Sequence, residues 1–361
     1  MRKQVKAMPG KRGRVTIKDV ASAADVSVAT VSYVLNNTDN AISAETRAHV
    51  QEIARQMNYR PNRVAKGLKT AHFNTLAVVV EDFRSFFIQS LIDGVCQCAE
   101  EYGYDVVLVN LRLDSRIRQA HHYELMDFSE YAQVKLRNVE QMQVDGLIYI
   151  GAFFHDVGDM LNSLSVPLVY LYSFSSTDHL HPSVHYDDYQ AAYDATSILL
   201  RHGHTRIAHV AGTLDSAPGQ LRVQGWRQAL LDAGCMPQDE LIFAGDFERE
   251  KAYSAGLALL DIPASPTAVF AASDLMAKAV YDACAARHVR IPQELSVVGF
   301  DNADFSKYVN PALTTMAMPN WDMGYRAAQL LLDHEMSAGQ VRLRCQPMIR
   351  DSVATDGARE R

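Results

Sequence analysis

Residues 16–37 read TIKDVASAADVSVATVSYVLNN, a pattern of two short helices joined by one tight turn. Thr16 is placed to cap the first helix, with Asp19 three residues on, over its partly positive N-terminus. Ile17, Val20, Ala21 and Ala24 then fall on one apolar face. Asp25 stands where the chain must turn sharply. Gly would turn there most easily, but Asp tolerates the left-handed conformation better than most residues. Ser27 can cap the second helix, whose Val26, Val31, Val34 and Leu35 face inward. Ser27, Val28, Ala29, Thr30, Ser32 and Tyr33 are left facing outward. Small apolar and hydroxyl side chains at a helix N-terminus suit the major groove, where thymine methyls accept apolar contacts and hydroxyls serve several base edges. An ordinary helical hairpin is the alternative on this stretch alone.

The next segment favours a DNA-reading head. Ser43 opens a third helix to about Asn58, with Val50, Ile53, Ala54 and Met57 closing a three-helix core and Tyr59 and Pro61 ending it. Residues 62–70 then read NRVAKGLKT. Asn62 can cap a fourth, very short helix that carries Val64, Ala65 and Leu68 on one side and Arg63, Lys66 and Lys69 around it. Such a helix is too short to stand alone in water, and Gly67 inside it costs about 1 kcal/mol relative to Ala. A basic, marginal helix with an exposed Leu suits a segment that folds in a minor groove and pushes an apolar wedge between base steps.

VTIKDVASAADVSVATVSYVLN, NYRPNRVAKGL and, later, SVVGFDNADFSKYVNPALTT resemble the LacI/GalR family of bacterial transcriptional regulators. The resemblance runs from about Val15 to Val353. It implies an all-α helix-turn-helix head, a hinge helix and an α/β two-lobed core of doubly wound parallel sheets, like a periplasmic binding protein. It further implies a dimer or tetramer that binds near-palindromic double-stranded operator DNA as a repressor, with a small molecule sensed between the lobes. On that pattern Thr16 and Asn36 join the outward residues of the second helix as DNA contacts, together with Asn62, Arg63, Ala65, Lys66, Leu68 and Lys69 of the hinge.

Charge is distributed unevenly. The 361 residues carry a formal net charge of -7, yet residues 1–72 hold 13 Lys and Arg against 5 Asp and Glu. The basic end is matched to phosphates, and the acidic remainder is repelled by them. Residues 1–15 are expected to form a disordered basic arm that either adds phosphate contacts or is merely solvated. No apolar run is long enough to span a membrane, and the N-terminus lacks the apolar core of an export signal, so a cytoplasmic, nucleoid-associated protein is expected. Five Cys give no disulfide framework. His121 with His122, His179 with His181, and His202 with His204 lack the further ligands that a metal site needs, so neither metal nor cofactor is expected.

From Asn74 onward strand-like runs alternate with helical patterns: TLAVVV, DVVLVN, DGLIYIG and VPLVYLY, then RIAHVAG, LIFAGDF, TAVFAAS and SVVGF. Parallel sheets follow from that rhythm, and its repetition favours two lobes. The expected divisions are a head over 16–61, a hinge over 62–72, a core over 73–355 and a tail over 356–361. By the resemblance, the first lobe takes about 73–186 and 315–340, the second about 187–314 and 341–355.

Ligands of such sheets bind beyond the carboxyl ends of the strands, so candidates lie just after strands. Phe86 and Phe87 follow the first strand, either as ligand walls or as core. Phe247 matches a position where the family sets an aromatic ring against its ligand. Arg222 matches the family's ligand-contacting Arg, and Asp301 a ligand-binding carboxylate; Asp274 either shares that role or caps a helix. Several departures stand out. Tyr33 replaces an Arg that follows TVS in many members, removing a guanine contact. Ser273 replaces an Asn, and Tyr172 an Asp of sugar-sensing members. Residues 112–137 form an insertion, read as surface decoration. The effector is left open among sugars, nucleosides and organic acids.

An enzyme would need a phosphate-cradling GxGxxG or GxxxxGK[ST] loop, or a nucleophile with its base, and the sequence offers neither. A transport protein would need an export signal and no basic head. The remaining rival is an architectural DNA-binder whose cleft no longer senses a small molecule.

Overall fold

The computed structural model describes residues 15–36, 42–60, 67, 72–83, 87–113, 129–337 and 339–356. The expectations for the basic arm, for hinge residues Asn62, Arg63, Ala65, Lys66, Leu68 and Lys69, for Phe86 and for insertion residues 114–128 lie outside the described residues. The chain separates into two compact units, Met1–Phe73 and Asn74–Arg361.

The first unit is a three-helix head: α1 (Ile17–Ala24), α2 (Val28–Leu35) and α3 (Ala44–Gln56). Thr16 and Asp19 close a reciprocal capping box, the Asp19 carboxylate accepting the Thr16 backbone N–H at 2.8 Å. Asp25 makes the turn at φ 53°, ψ 44°, the left-handed conformation its side chain tolerates. Ser27 and Ser43 cap α2 and α3. The chain leaves α3 differently from expectation. Asn58 turns left-handed at φ 50°, and the Tyr59 N–H returns to the Ala54 carbonyl at 2.9 Å, so the stop lies before Tyr59 and Pro61. Val20, Val31 and Val50 are fully buried at the centre.

In the second unit the strands are β1 (Thr75–Val80), β2 (Asp105–Asn110), β3 (Gly146–Ile150), β4 (Leu168–Leu171), β5 (Ser183–Tyr186) and β6 (Ile207–Ala211). They continue as β7 (Ile242–Ala244), β8 (Ala268–Ala271), β9 (Ser296–Asp301), β10 (Thr314–Ala317), β11 (Gln340–Leu343) and β12 (Gln346–Met348). The helices are α4 (Ile88–Glu101), α5 (Ser129–Glu140), α6 (Asp188–Arg201), α7 (Ala217–Asp232), α8 (Arg249–Asp261), α9 (Asp274–Ala286) and α10 (Asn320–Leu332). One sheet runs β11-β5-β4-β3-β1-β2, the other β12-β10-β9-β8-β6-β7. Within them β12 runs antiparallel to β10 and the other pairs are parallel. Both sheets therefore share one doubly wound order, in which the first strand has its successor on one side and the third strand on the other. That arrangement opens a crevice at the carboxyl ends of the strands.

The continuous apolar runs of β1, β3, β6, β8 and β9 are buried on both faces, as helix-covered parallel strands must be. In the first lobe α4 and α10 pack backbone to backbone. A Cβ on Gly94 would lie 2.1 Å from the Trp321 carbonyl oxygen, and one on Gly324 1.9 Å from that of Leu91, so only glycine fits.

Two details depart from the sequence reading, and SVHY, which is not among the runs read from the sequence, forms the further strand β5. The segment after β3, expected to hold a short helix, forms turns over 158–163. Strand β10 belongs to the second sheet and β11 to the first. The chain thus returns to the first lobe after Ala317 rather than at 315, and leaves it after Leu343 rather than after 340. Alternating runs reveal strands, but not which sheet a short late strand joins.

Candidate functional site

On the head, Val28 and Tyr33 of α2 are 41% and 44% exposed, and Ser27 and Ala29 are also exposed. This gives α2 an exposed face of small and aromatic side chains. Two expected contacts are spent locally. The Asn36 amide donates to the Ser32 carbonyl at 2.8 Å, and the Thr16 hydroxyl donates to Asp19 at 2.7 Å. Ser27 and Thr30 share a 2.8 Å hydroxyl contact while Ser27 accepts the Thr30 N–H. Their hydroxyls retain acceptor capacity toward a groove.

In the core a cavity of about 1850 Å³ lies at the carboxyl ends of both sheets. That exceeds the roughly 300–1,000 Å³ of a single small-molecule pocket, as expected of an open cleft. Six of the residues expected from the sequence line it: Phe87, Tyr172, Arg222, Phe247, Ser273 and Asp301. Asp274 does not. It lies fully buried behind the wall, accepting the Thr315 hydroxyl at 2.6 Å and the Ala303 N–H at 2.7 Å, and Ser273 rather than Asp274 caps α9.

Arg222 is the hub. It is 3% exposed, donates Nε–H to the Asp188 carboxylate at 2.8 Å and Nη2–H to the Tyr186 hydroxyl at 3.0 Å, and also donates to the Ala272 carbonyl. Its guanidinium sits 3.8 Å from the Phe300 ring centre and 5.6 Å from that of Phe247. Burial opposes its charge, but the neighbouring Asp188 carboxylate raises its pKa well above the ordinary value. Burial pushes the Asp188 carboxyl up while Arg222 pulls it down, and a guanidinium hydrogen-bonded at 2.8 Å favours the ionised carboxylate. Asp301 is 9% exposed. Burial, and then the charge of Asp274, raise its carboxyl well above the ordinary range.

On the first lobe His155, which no sequence pattern singled out, also lines the cavity. Its Nδ1–H donates to the Phe153 carbonyl at 2.7 Å, and Nε2 lies 3.0 Å from a Glu81 carboxylate oxygen. Glu81, 1% exposed, also accepts the Tyr149 hydroxyl at 2.6 Å and the Ala152 N–H at 2.7 Å. Burial works against both charges, yet each partner outweighs it, so the Glu81 carboxyl is held low and the His155 imidazole high.

The backbone marks the same place. Tyr172, Asp246, Phe247, Asp301 and Asn302 all have positive φ and all line the cavity. Such strain in non-glycine residues persists where surrounding structure over-determines it, typically around binding sites. Gly212 clears room for one of them, since a Cβ there would lie 2.0 Å from the Phe247 ring. Sequence patterns carry no direct signal for this geometry, which is why Tyr186, Asn302 and Asp246 went unseen.

Residues 16–62 match the family described as bacterial regulatory proteins, lacI family, and residues 196–353 match the periplasmic binding protein-like domain. The HTH-type transcriptional repressor CytR of Escherichia coli strain K12 is 32% identical over 342 residues, covering 94% of this chain and 96% of its own. Catabolite control protein A of Priestia megaterium is 35% identical over 319 residues, 88% and 91% of the two chains. Among solved structures, the lac repressor dimer bound to operator and the anti-inducer ONPF superposes with a TM-score of 0.79 at 25% identity, over 95% of this chain and 100% of that one. The complex of the transcriptional regulator CelR with cellobiose gives 0.65 at 29% identity, over 94% and 100%.

Proposed function

The chain belongs to the LacI family of bacterial regulatory proteins, and from that premise we propose that it is a repressor that grips a two-fold operator as a dimer and is switched by a small molecule in the interlobe cavity. Binding there biases the angle between the lobes, and operator affinity follows through differential affinity of the ligand for the two lobe arrangements. The outward face of α2 reads base edges, with Tyr33 setting outer bases. Leu68, outside the described residues, is the proposed minor-groove wedge at a flexible central step.

One observation carries the reading: residues from both lobes converge on a single cavity that combines aromatic walls with Arg222 and Asp301. Gel-shift titration against sites selected from random DNA, with and without sugars, nucleosides and organic acids, tests it. A two-fold site whose affinity moves with one compound supports it. A lone half-site, or an affinity that no compound moves, overturns it. The fact that three of the five guanidinium N–H groups of Arg222 are already spent favours the second reading, a DNA-binder whose cleft no longer senses.

A further inference from the structure

We propose that the contact between Glu81 and His155 is a fastener that positions the first-lobe wall of the cavity, holding it in mildly acid solution and loosening it as the solution turns alkaline. Its bearing on ligand capture rests on the proposed reading of the cavity; the fastener itself does not.

The apolar run of β1 ends at Glu81, a carboxyl set where it is buried and must find partners. It finds them on β3 and on the segment that follows. The Tyr149 hydroxyl donates to it at 2.6 Å and the Ala152 N–H at 2.7 Å, and His155 Nε2 lies 3.0 Å away. The far side of the imidazole is fixed too, Nδ1–H donating to the Phe153 carbonyl at 2.7 Å while the two rings pack at 4.5 Å between centres. The His155 carbonyl accepts the Phe174 N–H at 3.0 Å, and the Val157 N–H donates to the Phe174 carbonyl at 2.8 Å. Residues 151–157 form no helix or extended strand, so these contacts set their path. That path carries Ala152, Phe153, His155 and Asp156 to the cavity, and through Phe174 it is tied to the segment that begins with Tyr172, a fifth lining residue.

Burial opposes both charges of the pair, and the partner overrides it in each case. The raised imidazole makes its share of the fastening fully present below the ordinary value of 6.5 and lost as pH rises through the higher folded value. The lowered carboxyl makes its share present above the ordinary 4.5 and lost only in stronger acid. Other ionisable groups face the pair. Burial pushes the Tyr149 phenol of β3 and the Tyr170 phenol of β4 up, so both stay protonated near neutrality. Asp156 is held low, against burial, by hydrogen bonds from Ser176 and Gly158, and His185 of β5, stacked on Phe154, is lowered to about 4 by burial. Asp82, next along the chain, is also buried. Elsewhere His181 lies 2.6 Å from Asp178, and Asp274, raised by burial to about 7, titrates in the second lobe. Variants of the pair itself are therefore needed to assign a pH effect.

Hydrogen–deuterium exchange of the full chain from pH 6 to 9, followed by mass spectrometry without ligand or DNA, tests the proposal. Corrected for the intrinsic acceleration of exchange with pH, protection of the Ala152, Val157 and Phe174 amides should fall by about tenfold or more. The Gly245 and Ala272 amides, bonded to the Ala211 and Val210 carbonyls in the second lobe, should stay level. His155→Gln should be less protected at pH 6 and show no further fall. Glu81→Gln, which keeps the imidazole but removes the charge that raises it, should move the fall to lower pH and decides the case if His155→Gln does not fold. Level wild-type protection, a fall shared by the second-lobe amides, a His155→Gln profile that falls as the wild type does, or a Glu81→Gln fall at unchanged pH would each overturn the inference. None of these results bears on the regulator reading, which the gel shifts test separately.

Discussion

The hydroxyls of Tyr172 and Tyr186 lie 2.5 Å apart, with their rings stacked at 5.0 Å between centres, and Tyr186 in turn accepts a hydrogen bond from Arg222 at 3.0 Å. Tyr172 follows β4 of the first lobe and Arg222 lies on α7 of the second, so the phenol pair is a polar path between the lobes. Tyr172→Phe removes one hydroxyl and keeps the stack. We expect the ligand concentration that half-shifts operator affinity to rise about fivefold, the equivalent of roughly 1 kcal/mol for one hydrogen bond. An unchanged titration would detach Tyr172 from the response.

Removing Arg222 strands a charge. Arg222→Ala leaves Asp188, fully buried, without its guanidinium, and stability should fall by roughly 3 to 5 kcal/mol. The double variant with Asp188→Ala should recover part of that loss. Urea unfolding of the wild type and the two variants measures it, and a double variant no more stable than Arg222→Ala alone would show that packing, rather than the stranded carboxylate, sets the loss.

Gly212→Ala is expected to separate fold from sensing. Its Cβ would overlap the far end of the Phe247 ring, which can swing aside, so the stability change should stay near 1 kcal/mol. The ring would leave its place beside Arg222, and ligand binding should be lost while operator binding persists. Calorimetry and gel shift together decide the matter; retained ligand affinity would remove Phe247 from the site.

Two buried histidines give the fold an acid limit. His209 donates Nδ1–H to the Phe270 carbonyl at 2.9 Å and stacks on that ring, and burial pushes its pKa down to about 4. His185 is likewise lowered to about 4, by burial first and Arg342 second. A depressed folded-state value means stability that is present above the ordinary value near 6.5 and is lost as pH falls toward 4. For His209 this is on the order of 3 kcal/mol. Asp274, raised by burial to about 7, acts in the opposite sense, its contribution being lost as pH rises through 4 to 7. Unfolding followed from pH 7 to 4 should show His209→Gln starting less stable but losing less; parallel curves would contradict a neutral buried His209.

At the turn of the head, Asp25→Gly should change stability by only a few tenths of a kcal/mol, whereas Asp25→Val should cost about 1 to 2 kcal/mol in the left-handed conformation. Thermal unfolding measures both, and equal costs would mean that the Asp25 side chain, not its backbone, matters.

The head was legible almost residue by residue because its signals are local: the Thr16 cap, the Asp25 turn and the Ser27 cap each act within four positions. The strands of the core were legible from their apolar runs. What escaped was non-local. The assignment of β10 and β11 to their sheets depends on pairing between residues far apart in the chain, as in Thr315 with Gly299 and Val341 with Val184. The cavity residues found in advance were those that follow an obvious strand or match a family motif. His155 sits in an irregular segment after β3, and its partner Glu81 reads as the end of a strand; only the folded chain sets them 3.0 Å apart. Asp274 shows the reverse error, a residue next to the right place whose carboxylate is consumed by Thr315 and Ala303.

The threefold crossing between the lobes also orders events on the ribosome. The head can close from its own first sixty or so residues, and its contacts are short-range, so it belongs with the fast-forming elements. Neither sheet of the core can. The first waits for β11 to cover the edge of β5, and the second waits for β12 to cover β10, and both late strands lie within Gln340–Met348. A nascent chain therefore carries a finished, basic, DNA-seeking head for most of its synthesis while two open strand edges wait for the final segment. Premature termination before Leu343 would release molecules able to occupy DNA but unable to complete the part that answers to a signal.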